Sequence, residues 1–139
     1  MTPSAMIRSV AAFSILVPSY DEGLAFFVDA LGFTVIEDRP VERGKRWVAV
    51  APEGGEGARI VLAVPGDERQ RARVGDQTGG RVGYFLETSD FAGDFAALAA
   101  RGVRFLETPC REPYGTVAVF SDPWGGKWDL IQPRVGDAR

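Results

Sequence analysis

Residues 13–17 are a short, mostly apolar run that predicts a strand, whose period of two puts Phe13, Ile15 and Val17 on one side. Ser19-Tyr20-Asp21-Glu22 follows, a serine and a glutamate three apart in the pattern of a capping box, so a helix begins there. Leu24, Phe27 and Leu31 recur at i, i+3 and i+7 as a buried stripe, and Gly32 is placed to end the helix in a left-handed conformation. Strands are then expected over residues 33–38, 47–51 and 59–64, with the glycine-rich stretch 52–57 as a turn. The same order returns in the second half. A strand over 82–88 leads to a helix capped by Ser89 or Asp90, with Phe91, Phe95 and Leu98 as its stripe and Gly102 as its stop. Strands over 104–107, 116–120 and 127–132 complete the repeat, and Asp122-Pro123-Trp124-Gly125-Gly126 is the counterpart of the 52–57 turn. Each half reads β-α-β-β-β, which predicts one α+β domain over 1–139 made of two modules, 7–65 and 81–133. The polar, charge-dense loop 66–80 joins them and is expected to be solvated and mobile, or to fold over a pocket as a lid.

Strand alternation also sorts the two sheet faces. Phe13, Ile15, Val17, Val48, Val50, Ile60, Leu62, Val64, Tyr84, Leu86, Trp128 and Leu130 are bulky and are expected to pack on the helices. The opposite parity carries Ala12, Ser14, Trp47, Ala49, Arg59, Val61, Ala63, Gly83, Phe85, Glu87, Lys127 and Asp129. A face of small residues with scattered aromatic and charged ones suits a partly wet cup better than a dry core. Arg59, Glu87 and Lys127 have a second reading as solvated strand ends. Asp129 lies between Trp128 and Leu130-Ile131, where a carboxylate needs a partner, a ligand or water.

Composition narrows what such a cup can hold. The net charge of −3 gives no concentrated basic face for nucleic acid, and no stretch approaches membrane-spanning length, so neither nucleic acid nor membrane is an expected partner. Residues 1–10 show no leader pattern, and a cytoplasmic location is the expectation. There is no histidine, which removes the usual general base and any site of two histidines and a carboxylate. Cys110, the only cysteine, falls in a segment that reads as loop and has no disulfide partner.

Two stretches carry a resemblance to a known family. Leu24-Ala25-Phe26-Phe27 followed by Leu31-Gly32-Phe33, and the closing run from Tyr114-Gly115 through Phe120-Ser121-Asp122-Pro123-Trp124-Gly125-Gly126-Lys127-Trp128-Asp129-Leu130, resemble the vicinal oxygen chelate superfamily. That superfamily includes glyoxalase I, bleomycin resistance proteins and extradiol dioxygenases. In the closing motif an asparagine usual to the family is replaced by Gly126, while its acid is present as Asp129. The resemblance implies a curved mixed-sheet cup and, in the enzymes, one divalent metal held at positions that correspond here to Ala12, Val61, Gly83 and Asp129. Three of these four have no lone pair to offer, so no metal and no cofactor is expected. Ser14, Glu87 and Asp129 remain as oxygen donors for a hard ion such as Mg²⁺.

The expected function is therefore a metal-free protein that binds a small organic ligand in the cup. Trp47 and Phe85 would stack on the ligand, Arg59 and Lys127 would orient an anionic group, and Asp129 or Glu87 an amine, with Ser14 beside them. Arg59 has a plainer reading, an ion pair with Asp129 across the sheet. The alternative is a glyoxalase-like lyase, or another enzyme of the superfamily with a non-standard or absent metal site. Asp129 or Glu87 would then serve as base and Tyr114 as proton donor. A purely structural subunit with a vestigial cup is the third reading. The resemblance also implies a homodimer, with cups at or near the shared surface. Trp124 is expected to cover the hairpin rather than cap the pocket.

Overall fold

The computed structural model describes residues 6–134; the expected frayed tail 135–139 lies outside them. Strand β1 (Ala12–Leu16) leads into helix α1 (Tyr20–Leu24), followed by β2 (Thr34–Pro40), β3 (Arg46–Ala51) and β4 (Arg59–Ala63). A one-turn helix α2 (Glu68–Arg71) lies in the connection, and β5 (Val82–Glu87) and α3 (Phe91–Ala100) begin the second half. Strands β6 (Arg104–Phe105), β7 (Cys110–Glu112), β8 (Gly115–Ser121) and β9 (Lys127–Pro133) complete it. The first sheet has the order β1-β4-β3-β2 and the second β5-β9-β8-β6, with β7 also on β8. In each the outer strand runs parallel to the last strand of its half, β1 with β4 and β5 with β9, and the rest is antiparallel. This is the α+β pair of mixed sheets that the repeat implies. No helix among the described residues is long and apolar enough to cross a membrane.

Both helix starts follow from their caps. Ser19 Oγ accepts from Glu22 N at 3.1 Å, and of the two candidates in the second half it is Asp90 that caps, accepting from Gly93 N at 3.1 Å. Gly32 and Gly102 stop the helices at φ 79° and 90°. The first helix departs from the expected stripe. After Leu24 it widens into a π-helical turn, Ala25–Ala30, in which Leu31 N donates to Phe26 O. The extra residue per turn brings Phe26 and Phe27 inward side by side, at 5% and 0% exposure, and leaves Leu24 and Leu31 half-buried.

One core spans both halves. Phe27 meets Trp128 of β9 edge-on at 5.6 Å, Trp128 stacks on Phe120 at 6.0 Å and contacts Tyr84 at 4.5 Å, and Tyr84 stacks on Phe13 of β1 at 6.2 Å. Trp124 does not simply cover its hairpin: it reaches into the first half, 5.8 Å from Phe26. Its turn is organised by Asp122, the one buried charged residue among those described. Asp122 Oδ1 accepts from Trp124 N at 3.0 Å and Gly126 N at 2.8 Å, and Oδ2 accepts from Trp128 Nε1 at 3.0 Å. A Cβ on residue 126 would sit 2.3 Å from Asp122 Oδ2, so any larger residue here would require the Asp122 carboxylate to shift.

The connection 66–80 is largely exposed, as expected, and is tied down at two points. Asp67 caps α2, accepting from Gln70 N at 2.8 Å. Gln77 then binds the free edge of β1 with both ends of its amide: Leu16 N donates to Oε1 at 2.5 Å, and Nε2 donates to Ser14 O at 3.2 Å. A side chain thus stands in for the next peptide unit of the sheet. The segment read as loop around Cys110 is likewise ordered, as β7 paired with β8.

Candidate functional site

On the first sheet, register puts Ser14, Val61, Ala49 and Glu37 in one row across β1, β4, β3 and β2. This face is opposite the one that packs on the helices. Glu37 is its hub: Trp47 Nε1 donates to Glu37 Oε1 at 3.3 Å, Arg59 lies 3.5 Å from the same oxygen, and Arg39 lies 3.6 Å from Oε2. The Arg39 guanidinium also sits 5.8 Å from the centre of the Trp47 indole. Arg59 therefore pairs with Glu37 and not, as the sequence allowed, with Asp129. At this exposure the pairs add little stability but fix where the charges and the indole point.

Glu37 was not among the expected site residues, because plain alternation places it on the helix side. A register shift between Val35 and Glu37 removes Ile36 from the count, so Glu37 pairs with Ala49 instead of Val48. The signal in the sequence was the charge itself, an acid at a phase that alternation reserves for an apolar residue.

On the second sheet the corresponding row is Phe85, Asp129 and Val119. Phe85 is 62% exposed. Glu107 closes the row, its Oε1 accepting from Val119 N at 3.0 Å. Glu87 lies one row on, opposite Ile131, and Lys127 lies at the other end, opposite Val82 and Ser121. The structure thus gathers the seven expected residues into two groups, Ser14, Trp47 and Arg59 on one sheet and Phe85, Glu87, Lys127 and Asp129 on the other. Among the described residues no hydrogen bond or ion pair joins the groups. A cleft of about 1020 Å³ between β5 and α3 on one side and residues 51–58 on the other includes only Phe85 and Glu87 of the seven.

Asp129 is the unusual member. Its Oδ1 is buried and has no hydrogen-bond partner. Burial, and secondarily the charge of Glu107, hold the carboxyl above its ordinary range. The folded carboxyl then binds its proton more tightly than the unfolded one. Ionising it costs stability, with no penalty below the unfolded pKa and the full penalty once pH exceeds the folded one. Asp129→Asn is therefore expected to raise the melting temperature at pH 7, with the gain over the parent shrinking as the pH is lowered toward 4. A variant less stable than the parent at pH 7 would mean that the carboxylate has a partner after all.

Tyr114, 48% exposed, makes no hydrogen bond to Asp129. Burial and the nearby acids, Glu112 before Asp129, push its phenol up, which makes it a poorer proton donor. Cys110 donates to Glu112 Oε1 at 3.1 Å, and that bond with the charge of Glu112 raises the thiol as well, so it is not an activated nucleophile. Of the four family metal positions, Ala12, Val61 and Gly83 bring no donor. Asp129 is the one donor of the four, and no cluster of three possible His, Cys, Asp or Glu ligands occurs among the described residues. The residues present do not fit a divalent metal.

The order of strands and the paired sheets have their counterpart in known proteins. A model of the Glyoxalase/Bleomycin resistance protein/Dioxygenase superfamily matches residues 9–130. The chain belongs to that superfamily. An uncharacterized protein of Shewanella frigidimarina (strain NCIMB 400) is 41% identical over 128 residues, 91% of this chain and 95% of that one. The structure of TnmS3, an antibiotic binding protein from Streptomyces sp. CB03234, is similar with a TM-score of 0.75 and 33% identity, over 94% of this chain and 99% of that one. A superfamily member from Sphaerobacter thermophilus DSM 20745 matches with a TM-score of 0.74 and 29% identity, over 92% and 99% of the two chains.

Proposed function

We propose that this member of the superfamily is a metal-free small-molecule-binding protein that captures a flat organic ligand on the helix-free faces of its sheets. The observation that carries the reading is that each of these faces presents an exposed aromatic ring, Trp47 at 37% and Phe85 at 62%, beside charged groups, where three of the four metal positions have no donor. Exposed rings flanked by oriented polar groups are what a small-molecule site needs to gain area and direction. The likeness to TnmS3, described as an antibiotic binding protein, supports capture over turnover. The reading includes a homodimer, in which a second copy covers faces that one chain leaves open.

A thermal-shift screen of flat aromatic cations, acids and neutral compounds tests it. The expected result is a set of stabilising compounds whose affinity falls about tenfold in Trp47→Ala or Phe85→Ala, the loss of one stacked ring. No response across the set would overturn the binding role. Stoichiometric metal in the purified protein, or turnover of hemithioacetals with added Ni²⁺ or Zn²⁺, would overturn the metal-free part. Sedimentation showing only a 15.0 kDa species at micromolar concentration would remove the dimer.

A further inference from the structure

The two helix-free faces differ in charge. The first carries Arg39 and Arg59 about the single acid Glu37. The second carries Asp129 with Glu107 near it and Glu87 one row on, against two cations in the row at its far end, Lys127 and Arg104, which face Ser121 from either side. Lys127 makes no ion pair among the described residues, although it lies two residues before Asp129 on the same strand face. Arg59 is held by Glu37 on the other sheet. No cation of the described chain therefore serves Asp129, whose buried Oδ1 is left without a donor.

A buried acceptor without a partner is rare in folded proteins and calls for an outside group. A metal is a poor match, since Asp129 and Glu107 have no third carboxylate, thiolate or imidazole among the described residues to complete a ligand set. A neutral hydroxyl would satisfy the oxygen but gain nothing from Glu107. A protonated amine gains from both acids, and its cationic centre is also attracted to a ring face. Phe85 provides that ring as the register neighbour of Asp129 on β5, and Tyr114 lies near enough for the Asp129 charge to act on its phenol.

Building on the binding role proposed above, we infer that the second sheet selects ligands carrying a protonated amine on an aromatic body, with the Asp129 carboxylate as the counter-charge and Phe85 as the stacking wall. The first sheet, with its surplus of guanidinium groups, does not share this preference.

Three fluorescent probes of one shape and different charge test the inference: 1-pyrenemethylamine, 1-pyrenemethanol and 1-pyrenecarboxylate, titrated against the full chain by anisotropy at pH 7. The amine is expected to bind about tenfold or more tighter than the alcohol and carboxylate, as charge-assisted hydrogen bonds allow. In Asp129→Asn, checked for folding by near-UV circular dichroism, that preference is expected to collapse, and in Glu107→Gln to shrink. Equal binding of all three probes, or a preference that survives Asp129→Asn, would overturn the inference while leaving the binding role intact. Failure of every probe to bind would overturn this inference, and with a silent thermal-shift screen the binding role as well.

Discussion

Replacing Asp122 by alanine is expected to lower stability by roughly 3–5 kcal/mol, the largest effect of any single polar change in this chain. The carboxylate is 5% exposed and accepts from Trp124 N, Gly126 N and Trp128 Nε1. Alanine would leave all three donors without a partner, two of them in the backbone of a tight turn and one on a core indole. The damage spreads because Trp124 and Trp128 are also the residues through which the closing turn and β9 touch Phe26 and Phe27 of the first half. Asp122→Asn keeps one oxygen for the two backbone donors but turns an amide N–H₂ toward Trp128 Nε1, so an intermediate loss is expected. Urea unfolding followed by tryptophan fluorescence measures both. If the alanine variant lost less than about 1 kcal/mol, the turn would be holding its shape without the carboxylate.

Gly75→Ala is the second large effect. Gly75 has φ 77°, and a Cβ there would lie 1.7 Å from Trp124 O and 2.5 Å from its carbonyl carbon. Those are backbone atoms of the closing turn, which cannot step aside as the end of a flexible side chain can. The cost therefore combines the left-handed strain of an alanine, about 1 kcal/mol, with displacement of one backbone from another, on the order of 3 kcal/mol in all. Gly79→Ala is the control, since φ is 66° there but nothing lies within 4 Å of the added carbon. The control is expected to lose only the strain. Equal losses at the two positions would show that the connection does not depend on its close approach to the closing turn.

These two positions mark what could and could not be seen in the linear chain. The paired order of strand and helix was legible because its signals are local: Ser19 and Asp90 cap, Gly32 and Gly102 stop, and alternation sorts Ile15, Val48, Leu62 and Leu130 inward. Asp129 was legible as a problem, an acid among apolar neighbours, and the structure leaves it unpartnered. Three things were hidden because they are not local. The shift at Ile36 that turns Glu37 toward Trp47 depends on how β2 pairs with β3. The widened turn that brings Phe26 inward leaves no mark that periodicity would read, since it changes the period itself. The role of the 66–80 connection rests on one glutamine and one glycine inside a polar stretch whose composition says only that it is solvated.

That glutamine limits how copies of the chain can associate. An exposed outer strand is a standing invitation for a foreign strand to extend the sheet, and on β1 the groups that would accept it, Leu16 N and Ser14 O, already have the Gln77 amide as their partner. A strand adding at this end of β1 would first have to displace that amide, which favours broad surfaces over edge pairing for any assembly involving this side of the protein.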